Sequence, residues 1–517
     1  FNTCRASSGQ ESVMSSKSAI IIGSGFGGLA VANLLAKDGW RVTVIEKRHQ
    51  LGGRAGRLKV DGYTFDTGPS WYLMPEVFEH YFNLFGKDVN QELGLVRLDP
   101  AYKVFYDYRD SITVRSNEKE MKQVFDSVEP GSGVRLSKYL DEAEETYKLA
   151  IDYILYNSRR LPSGLVNKRA LPKLTGLLPR LRRPLHNKIE ANFKSLELQQ
   201  ILEYPMVFLG SSPFEAPSIF SLMSYLDFRQ GVYFPKGGMY EIVLALEKLG
   251  RELGVEYILD TEVISINVEG GVAGSVTAGD REFKADLVIS NSDLKHTETR
   301  ILDEKWSSYK EEYWQKKQAG PSAMLMYLGV EGELPQLEHH SLLFVEDWAK
   351  NFDAIFKDKQ LPQKPSMYVS RISETDKTSA PKGCENIFVL VPLPSGMEVP
   401  SSELEEAADR YIDQIGEMTN IKEFAKRIKY RKIYGPSDFS NDFYSWDSTA
   451  LGMSHLLTQS AWWRPNSNSK KVKNLMYVGA GVQPGIGVPM TLISAELAYK
   501  KLTGQNTVGP LAESLKK

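Results

Sequence analysis

The chain has 517 residues, 42% of them hydrophobic, and a formal net charge of −2 at pH 7. That length allows two or three folding units around a large core, and the near-zero charge excludes a general attraction to nucleic acid. Cys4 and Cys384 are the two cysteines, and they form no C-x-x-C pattern, which excludes a disulfide framework and a dithiol redox site. The seven histidines are scattered, so we expect no metal site. The two distant cysteines favour a reducing, cytoplasmic environment.

Residues 1–13 are polar and lack the apolar stretch of a signal peptide. Met14 precedes the first apolar run and is the expected natural start. We expect residues 1–16 and 506–517 to be tails outside the fold. Elsewhere no segment approaches the roughly 20 uninterrupted apolar residues that a membrane span requires.

The first elements follow the order of a dinucleotide-binding βαβ unit. A strand is predicted over 19–22, and the glycine cluster Gly23, Gly25 and Gly28 follows it. A helix is predicted over 29–36, and a second strand over 41–45 ends at the acid Glu46. Gly23 permits a tight turn, Gly25 lets the backbone approach a pyrophosphate, and Gly28 lets helix pack on strand. The helix N terminus offers unpaired N–H groups to phosphate. Glu46 lies where a carboxylate accepts ribose hydroxyls, so we predict a Rossmann-type site.

A second glycine pair narrows the choice of dinucleotide. Gly52-Gly53-Arg54 follows Glu46 closely and resembles the second phosphate contact of flavoproteins related to amine oxidases. In that superfamily the glycines bring backbone to the pyrophosphate and the arginine supplies charge. The resemblance implies FAD rather than a nicotinamide cofactor, with Gly27 and Lys47 as further contacts.

The middle of the chain leaves this first unit and returns to it. Alternation and helical periodicity predict hairpins around Asp61-Gly62 and over 102–115, a loop at 66–70, helices at 71–86, 240–253 and 402–418, and strands at 256–259, 262–268, 286–289, 324–330, 367–371 and 387–391. We therefore expect an α/β protein with two domains. A discontinuous Rossmann-type FAD-binding domain comprises 17–75, 231–300 and 471–505, and a mixed α+β substrate domain comprises 76–230 and 301–470.

Residues 135–230 form an insert of unusual composition. An amphipathic helix is predicted over 135–156, and between Arg159 and Lys194 ten lysines and arginines face a single acid, Glu190, with leucines interleaved. Prolines there break any helix into short pieces. Such a segment suits an interfacial membrane anchor, although a solvated basic loop with its leucines on the core would share the pattern. With a lipid substrate we favour a helical, membrane-facing insert.

The last informative block runs from Leu475 to Met490, where a strand and a Gly-rich loop lead into a helix that reaches Lys501. By resemblance, the N-terminal dipole of this helix faces the flavin ring and stabilises negative charge there. The same resemblance implies contacts to FAD from Gly479 and Val488, and a backbone contact to adenine from Val263.

From about residue 17 to 505 the chain resembles the bacterial-type phytoene desaturase (carotenoid desaturase) family of the FAD-dependent amine-oxidase-like superfamily. The matching stretches are 23–32, 46–56, 66–70, 233–239, the QSAWWRP segment from Gln459, and 478–489. Many members carry Thr-His where this chain has Val482-Gln483. The substrate and the number of desaturation steps therefore stay open.

The resemblance implies desaturation of a long linear polyene such as phytoene, by hydride transfer from an allylic carbon to flavin and loss of the neighbouring proton. No histidine or carboxylate pair stands out in the sequence as a catalytic base. Segments 204–209, 219–228 and 324–328 are the candidates for apolar tunnel walls, although segments of this kind more often belong to an ordinary core. The expected partners are the polyene lipid, a membrane surface bound peripherally, and quinone or dioxygen as electron acceptor.

Relatives on the same scaffold give the competing predictions. A carotenoid isomerase, a polyene saturase and a later-pathway desaturase or oxidase share these motifs, whereas an amine oxidase does not explain the basic, leucine-rich insert. Prenyl-protein escort proteins have the same architecture but have lost the flavin. The intact Glu46 and Gly52-Gly53-Arg54 argue against that non-enzymatic alternative.

Overall fold

The computed structural model describes residues 17–158 and 176–512. Its strands, in chain order, are β1 Ser18–Ile22, β2 Arg41–Ile45, β3 Arg57–Val60, β4 Tyr63–Asp66, β5 Leu95–Arg97, β6 Tyr102–Tyr106, β7 Ile112–Val114, β8 Tyr233–Pro235, β9 Glu256–Ile258, β10 Val263–Glu269, β11 Val272–Ala278, β12 Arg281–Lys284, β13 Leu287–Ser290, β14 Ser322–Glu331, β15 His340–Phe344, β16 Met367–Ser370, β17 Cys384–Leu393, β18 Ile428–Tyr434 and β19 Leu475–Tyr477.

Helices of eight or more residues are α1 Phe26–Lys37, α2 Pro75–Asn83, α3 Glu118–Val128, α4 Ser132–Ala150, α5 Leu185–Asn192, α6 Leu196–Glu203, α7 Tyr240–Glu252, α8 Ser401–Thr419, α9 Pro436–Phe443 and α10 Val488–Leu502. Helix α2 is shorter than the helix predicted over 71–86. Met74 before it has left-handed backbone dihedrals, with φ +58°, and Pro75 can only open a helix.

A parallel five-stranded sheet with the order β19-β13-β1-β2-β9 forms the first layer. Three distant parts of the sequence supply its strands, as the discontinuous Rossmann-type pattern predicts. Both faces are covered, which accounts for the unbroken apolar run of β1. Ala19 and Ile21 pack with α1, α7 and α10, whereas Ile20 and Ile22 face the antiparallel sheet β10-β11-β12. The carboxyl ends of β1, β2 and β13 therefore meet at one edge.

A seven-stranded mixed sheet with the order β18-β14-β17-β16-β15-β6-β7 forms the second layer. Strand β6 runs parallel to β15, and the other neighbours are antiparallel. Along β14 the side chains alternate. Met324 and Met326 pack with α8, whereas Leu325 and Tyr327 belong to the core on the opposite face. That second face borders the cavity described below.

Helices α3 to α6 form a layer beside this sheet. Acidic residues of α4 pair there with basic residues that lie much later in the sequence. Arg180 forms an ion pair with Glu145 at 3.1 Å, and Lys188 forms one with Glu142 at 3.0 Å. Part of the predicted basic excess is thus neutralised inside the fold. Residues 159–175 of the basic segment lie outside the described residues. Across residues 17–158 and 176–512, no helix combines the length and apolarity that crossing a membrane demands.

The described part of the predicted C-terminal tail packs against the first layer. Leu511 is buried, and its N–H donates to the Glu496 carboxylate on α10 at 2.6 Å. Lys500 on the same helix is buried and pairs with Glu496 at 3.2 Å. Residues 1–16 and 513–517 lie outside the described chain.

An ion pair between α5 and α6 makes stability depend on pH. His186 Nδ1 lies 2.9 Å from a carboxylate oxygen of the fully buried Glu203, and this hydrogen bond raises the pKa of His186 above its usual 6.5. Its stabilising contribution is complete below pH 6.5 and is lost as pH rises through the higher folded-state pKa. We expect the melting temperature of wild type to exceed that of His186→Asn most at pH 6 and least at pH 9. A difference that does not change with pH would contradict this assignment.

Candidate functional site

The glycines of the first turn lie where the carboxyl ends of the central strands meet. Gly23 N–H donates to the Ile45 carbonyl at 2.9 Å. A Cβ at Gly25 would lie 2.8 Å from Asn291 Nδ2, one at Gly27 would lie 3.0 Å from the Gly479 nitrogen, and one at Gly28 would lie 2.2 Å from the Gly23 oxygen. The motif therefore lets α1, the end of β13 and the C-terminal loop approach each other more closely than side chains permit.

Glu46 lies at the end of β2, where its side chain is buried. One carboxylate oxygen accepts from the backbone N–H and the hydroxyl of Ser24, at 2.9 and 2.7 Å, and the other accepts from Arg48 N–H at 3.0 Å. An ionised carboxylate has about four acceptor positions. These bonds fix the carboxylate beside the turn and leave acceptor capacity for a ribose hydroxyl.

The Gly52-Gly53-Arg54 turn packs directly on the first one. Gly25 and Gly52 form a parallel backbone bridge, and Gly53, with φ +59°, would place a Cβ only 3.3 Å from the Gly25 Cα. Arg54 donates from Nη2 to Ser445 Oγ at 2.6 Å, while its buried Nε has no hydrogen-bond partner within the described chain. Burial lowers the pKa of Arg54. A buried guanidinium with an unused donor suits an anionic ligand.

The remaining predicted contacts surround the same space. Lys47 Nζ donates to the Asn441 carbonyl at 2.8 Å and lies 3.6 Å from the centre of the Tyr444 ring. Val263 begins β10 and is buried. Val488 begins α10, whose N-cap is Gly487, with φ +121° and no side-chain cap. The first N–H groups of that helix therefore remain available to a ligand.

Ten of the eleven predicted cofactor residues line one cavity, and Gly28 instead packs on Gly23. The ten are Gly23, Gly25, Gly27, Glu46, Lys47, Gly53, Arg54, Val263, Gly479 and Val488. The side-chain-free turn, the two uncapped helix N termini, the held carboxylate and the unused Arg54 donor together fit a dinucleotide. FAD would be held by these groups, with its phosphates near α1 and Arg54.

The same cavity, of about 980 Å³, extends beyond the dinucleotide cradle into an apolar chamber. Its apolar walls are Phe208, Leu209, Ile219, Phe220, Leu222, Met223, Leu226, Leu325, Leu390 and Ile486. Each of the three segments predicted as tunnel walls contributes to it. Within the third, Met324, Met326 and Leu328 point away into the core beside α8, because successive residues of a strand face opposite sides.

Leucines, an isoleucine and a tryptophan also belong to the apolar lining of this cavity. Leu177, Leu178 and Leu181 line it together with Ile154 and Trp463. Leu178 and Trp463 are 49% and 50% exposed, so the chamber reaches the surface through an apolar rim. We call these five residues the cavity mouth.

Two further residues that line the site, and one beside it, were not identified as functional from the sequence. Asn291 directly follows β13, and its Nδ2 lies 3.4 Å from the Gly23 carbonyl. Its place at the end of a parallel strand was a usable signal. Arg464, from the QSAWWRP segment, donates to the carbonyls of Gln459 and Met453 at 2.9 and 2.7 Å, and burial lowers its pKa to about 10. His455 lines the chamber, and nothing in the sequence around it indicates that position.

Fold and site together define an FAD-dependent oxidoreductase with the architecture of the amine oxidases. A family model described as flavin containing amine oxidoreductase matches residues 26–498. The chain is 40% identical to a carotenoid 3,4-desaturase of Haloarcula japonica, over 93% of this chain and 97% of that protein. It is 33% identical to a zeta-carotene-forming phytoene desaturase of Myxococcus xanthus, over 93% of each.

Solved structures share the fold. Putrescine oxidase bound to putrescine superposes with a TM-score of 0.59 at 15% identity, over 95% of this chain and 99% of that one. An oxidoreductase from Methanosarcina mazei gives 0.60 at 18% identity, over 92% and 98%. The chain belongs to the flavin-containing amine oxidoreductase family and, within it, to the carotenoid desaturases. It is an FAD-dependent oxidoreductase that acts on CH–CH groups.

Proposed function

We propose that this enzyme introduces double bonds into a long linear carotenoid precursor such as phytoene, as a step of carotenoid biosynthesis. The observation that carries the proposal is the single cavity, which joins the dinucleotide cradle to an apolar chamber with an apolar mouth. A linear hydrocarbon can enter at the mouth and reach the cofactor without passing a charged surface. The two relatives at 40% and 33% identity are a carotenoid 3,4-desaturase and a phytoene desaturase, which supports the same type of reaction.

The chain's own residues bind and orient the reactants. Gly25, Arg54 and Glu46 would hold FAD, which supplies a two-electron oxidant that takes hydride from carbon. The apolar walls, among them Met223 and Leu325, bind the polyene without hydrogen bonds and exclude water from the reacting carbons. Positioning of the allylic carbons therefore depends on the shape of the chamber.

Expression in cells that accumulate phytoene tests the proposal. We expect phytoene to be replaced by products with longer conjugated chromophores, separated and identified by chromatography with absorption spectra. Unchanged phytoene in cells whose purified protein carries FAD would reject phytoene as the substrate. The 40% identity to a carotenoid 3,4-desaturase favours later-pathway desaturation as a second candidate. Conversion of a coloured acyclic carotenoid, but not of phytoene, would select it.

We propose further that the protein binds peripherally to the cytoplasmic side of a membrane through the cavity mouth. Leu178 and Trp463 are about half exposed there, and Arg182 and Arg183 are exposed close by in sequence. Apolar side chains beside cations suit an anionic lipid surface. Arg180 lies in the same segment, but we do not assign it a membrane contact because its guanidinium pairs with Glu145. Docking at the mouth would let a lipid-soluble substrate enter without crossing water.

Neutralising the two exposed arginines should weaken membrane binding. Each basic group near an anionic surface contributes about 1 kcal/mol, so Arg182→Gln with Arg183→Gln should weaken partition onto phosphatidylserine liposomes by about 30-fold. Cosedimentation measures the effect. Lys248→Gln with Arg251→Gln makes the same charge change on α7 and should leave binding unchanged. Equal losses in both double variants would indicate unspecific attraction rather than docking at the mouth.

For the electron acceptor we propose a diffusible quinone, with dioxygen as the alternative. The sequence contains one G-x-G-x-x-G at a strand–helix junction, and Cys4 and Cys384 are far apart, which argues against a second electron carrier bound by this chain. Desaturation delivers two electrons per double bond. Turnover should require quinone in liposomes or air, and NAD⁺ should have no effect. Anaerobic turnover supported by NAD⁺ alone would overturn the assignment.

A further inference from the structure

His455 lies in a loop that reaches the chamber wall, and its surroundings determine its tautomer. Nδ1 lies 2.9 Å from the Leu209 carbonyl oxygen, and the His455 backbone N–H donates to Ser211 Oγ at 2.8 Å. A carbonyl oxygen can only accept, so Nδ1 carries the proton of the neutral ring. Nε2 is therefore the nitrogen with a free lone pair.

His455 Nε2 lies against the Gly-rich loop that precedes α10. A Cβ built on Gly485 would lie 2.4 Å from His455 Nε2 and 3.4 Å from the Arg464 Cζ. Gly485 lies in the Gly-rich loop between Gly479 and Val488, both of which line the dinucleotide part of the cavity. His455 lines the cavity, and so do Pro484 and Ile486 on either side of Gly485. The lone pair therefore lies at the cavity wall, beside this loop.

The other candidate bases of the cavity are placed differently. Its described acidic lining residues are Glu46, Glu262, Asp293 and Asp442. Glu46 is bonded to Ser24, Glu262 accepts from the Tyr444 hydroxyl at 2.6 Å, Asp293 caps a short helix, and Asp442 accepts from the Tyr434 hydroxyl at 3.0 Å. These bonds tie the four carboxylates to the cradle side. Two other histidines line the cavity: His49 is exposed to solvent, and His296 is stacked on the Tyr444 ring at 4.0 Å. His455, in contrast, is seated between the apolar residues Leu209 and Phe220.

We propose that His455 Nε2 accepts the proton released during desaturation, an inference that rests on the proposed function. One allylic carbon gives up a hydride, with both electrons of its C–H bond, to the bound FAD. The neighbouring carbon gives up a proton to Nε2, and the electrons of that second C–H bond form the new double bond. The imidazolium then releases its proton to water through the cavity mouth, while the quinone or dioxygen named above takes the two electrons from the cofactor.

A weak base is sufficient for this step. Burial, together with the charge of Arg464, lowers the pKa of His455 to about 3, so the ring stays neutral and Nε2 stays free throughout the working range. A C–H bond next to an allylic cation is strongly acidic, so its proton moves readily to such a base. Because this pKa is low, the imidazolium of His455 loses its proton quickly. Nε2 is then free for the next double bond.

The test removes Nε2 and keeps the bond that holds the loop. In His455→Asn the amide nitrogen can replace Nδ1 as donor to Leu209. We expect FAD content and melting temperature to stay at wild-type values while desaturation slows by about 10²- to 10⁴-fold, the usual contribution of a positioned base. The shorter asparagine side chain leaves space for a water molecule that the wild-type ring excludes. That water should add to the unquenched cation, so hydroxylated polyene should appear among the products by mass spectrometry.

His339→Asn is the matched control. His339 is also buried, its pKa is likewise lowered to about 3, and its Nδ1 lies 2.6 Å from Thr375 Oγ1, away from the cavity. That variant should keep its rate per bound FAD. A His455→Asn rate within threefold of wild type, or a loss explained by missing FAD, would overturn the proposal. Failure of wild type itself to desaturate any carotenoid would reject the proposed function instead.

Discussion

Gly25→Val should yield colourless protein. A Cβ at Gly25 would lie 2.8 Å from Asn291 Nδ2, and the two branches of valine would extend into the space where the pyrophosphate meets the N terminus of α1. Overpacking of this kind costs about 1–3 kcal/mol, which corresponds to about 5- to 150-fold in affinity. The absorbance of the purified protein near the flavin bands, divided by its protein absorbance, measures the loss.

Gly274→Val provides the matched control for this experiment. Gly274 lies on β11, is exposed, and a Cβ there would meet nothing within 4 Å. The same increase in side-chain size should therefore leave FAD content unchanged. Normal FAD content in Gly25→Val, or equal loss in both variants, would show that the first turn does not hold the cofactor's phosphates.

Met223→Trp should separate substrate binding from cofactor binding. Met223 is partly buried on the wall of the apolar chamber, and an indole there fills space that the polyene needs. We expect conversion of carotenoid to fall by about 5- to 150-fold, from an overpacking cost of about 1–3 kcal/mol. FAD content should remain normal, because Met223 lines the apolar chamber and not the dinucleotide cradle. Chromatographic product analysis at equal FAD concentration measures the effect.

Met397→Trp is the corresponding control outside the cavity. Met397 is partly buried against the core beneath α8 and does not line the chamber. Its replacement should lower stability modestly and leave the rate per bound FAD unchanged. If Met223→Trp keeps wild-type turnover, the chamber is not the substrate site, and the proposed route from mouth to cofactor fails.

The sequence by itself determined the dinucleotide cradle. Gly23, Glu46 and Arg54 lie within one βαβ unit, and the geometry of such a unit is set by contacts between residues close in the chain. Seven of the ten predicted residues that line the cavity belong to this unit and the turn after it, whereas Val263, Gly479 and Val488 come from distant segments and were predicted from the family resemblance. The positions of single elements, such as α7 and β13, also followed from local periodicity, because the period of two or of 3.6 residues reflects local backbone geometry.

Only the tertiary structure placed Asn291 and His455 beside the predicted cofactor residues and the apolar chamber. Asn291 approaches Gly23 across 268 positions of sequence, and His455 is held by the Leu209 carbonyl across 246. Such long-range contacts arise when packed layers bring distant loops together. The end of β13 was a local signal for Asn291, but no local pattern encodes the position of His455. The pairing of Arg180 with Glu145 likewise showed that the basic segment is partly neutralised. A charge counted in sequence acts on a ligand only where folding leaves it unpaired and exposed.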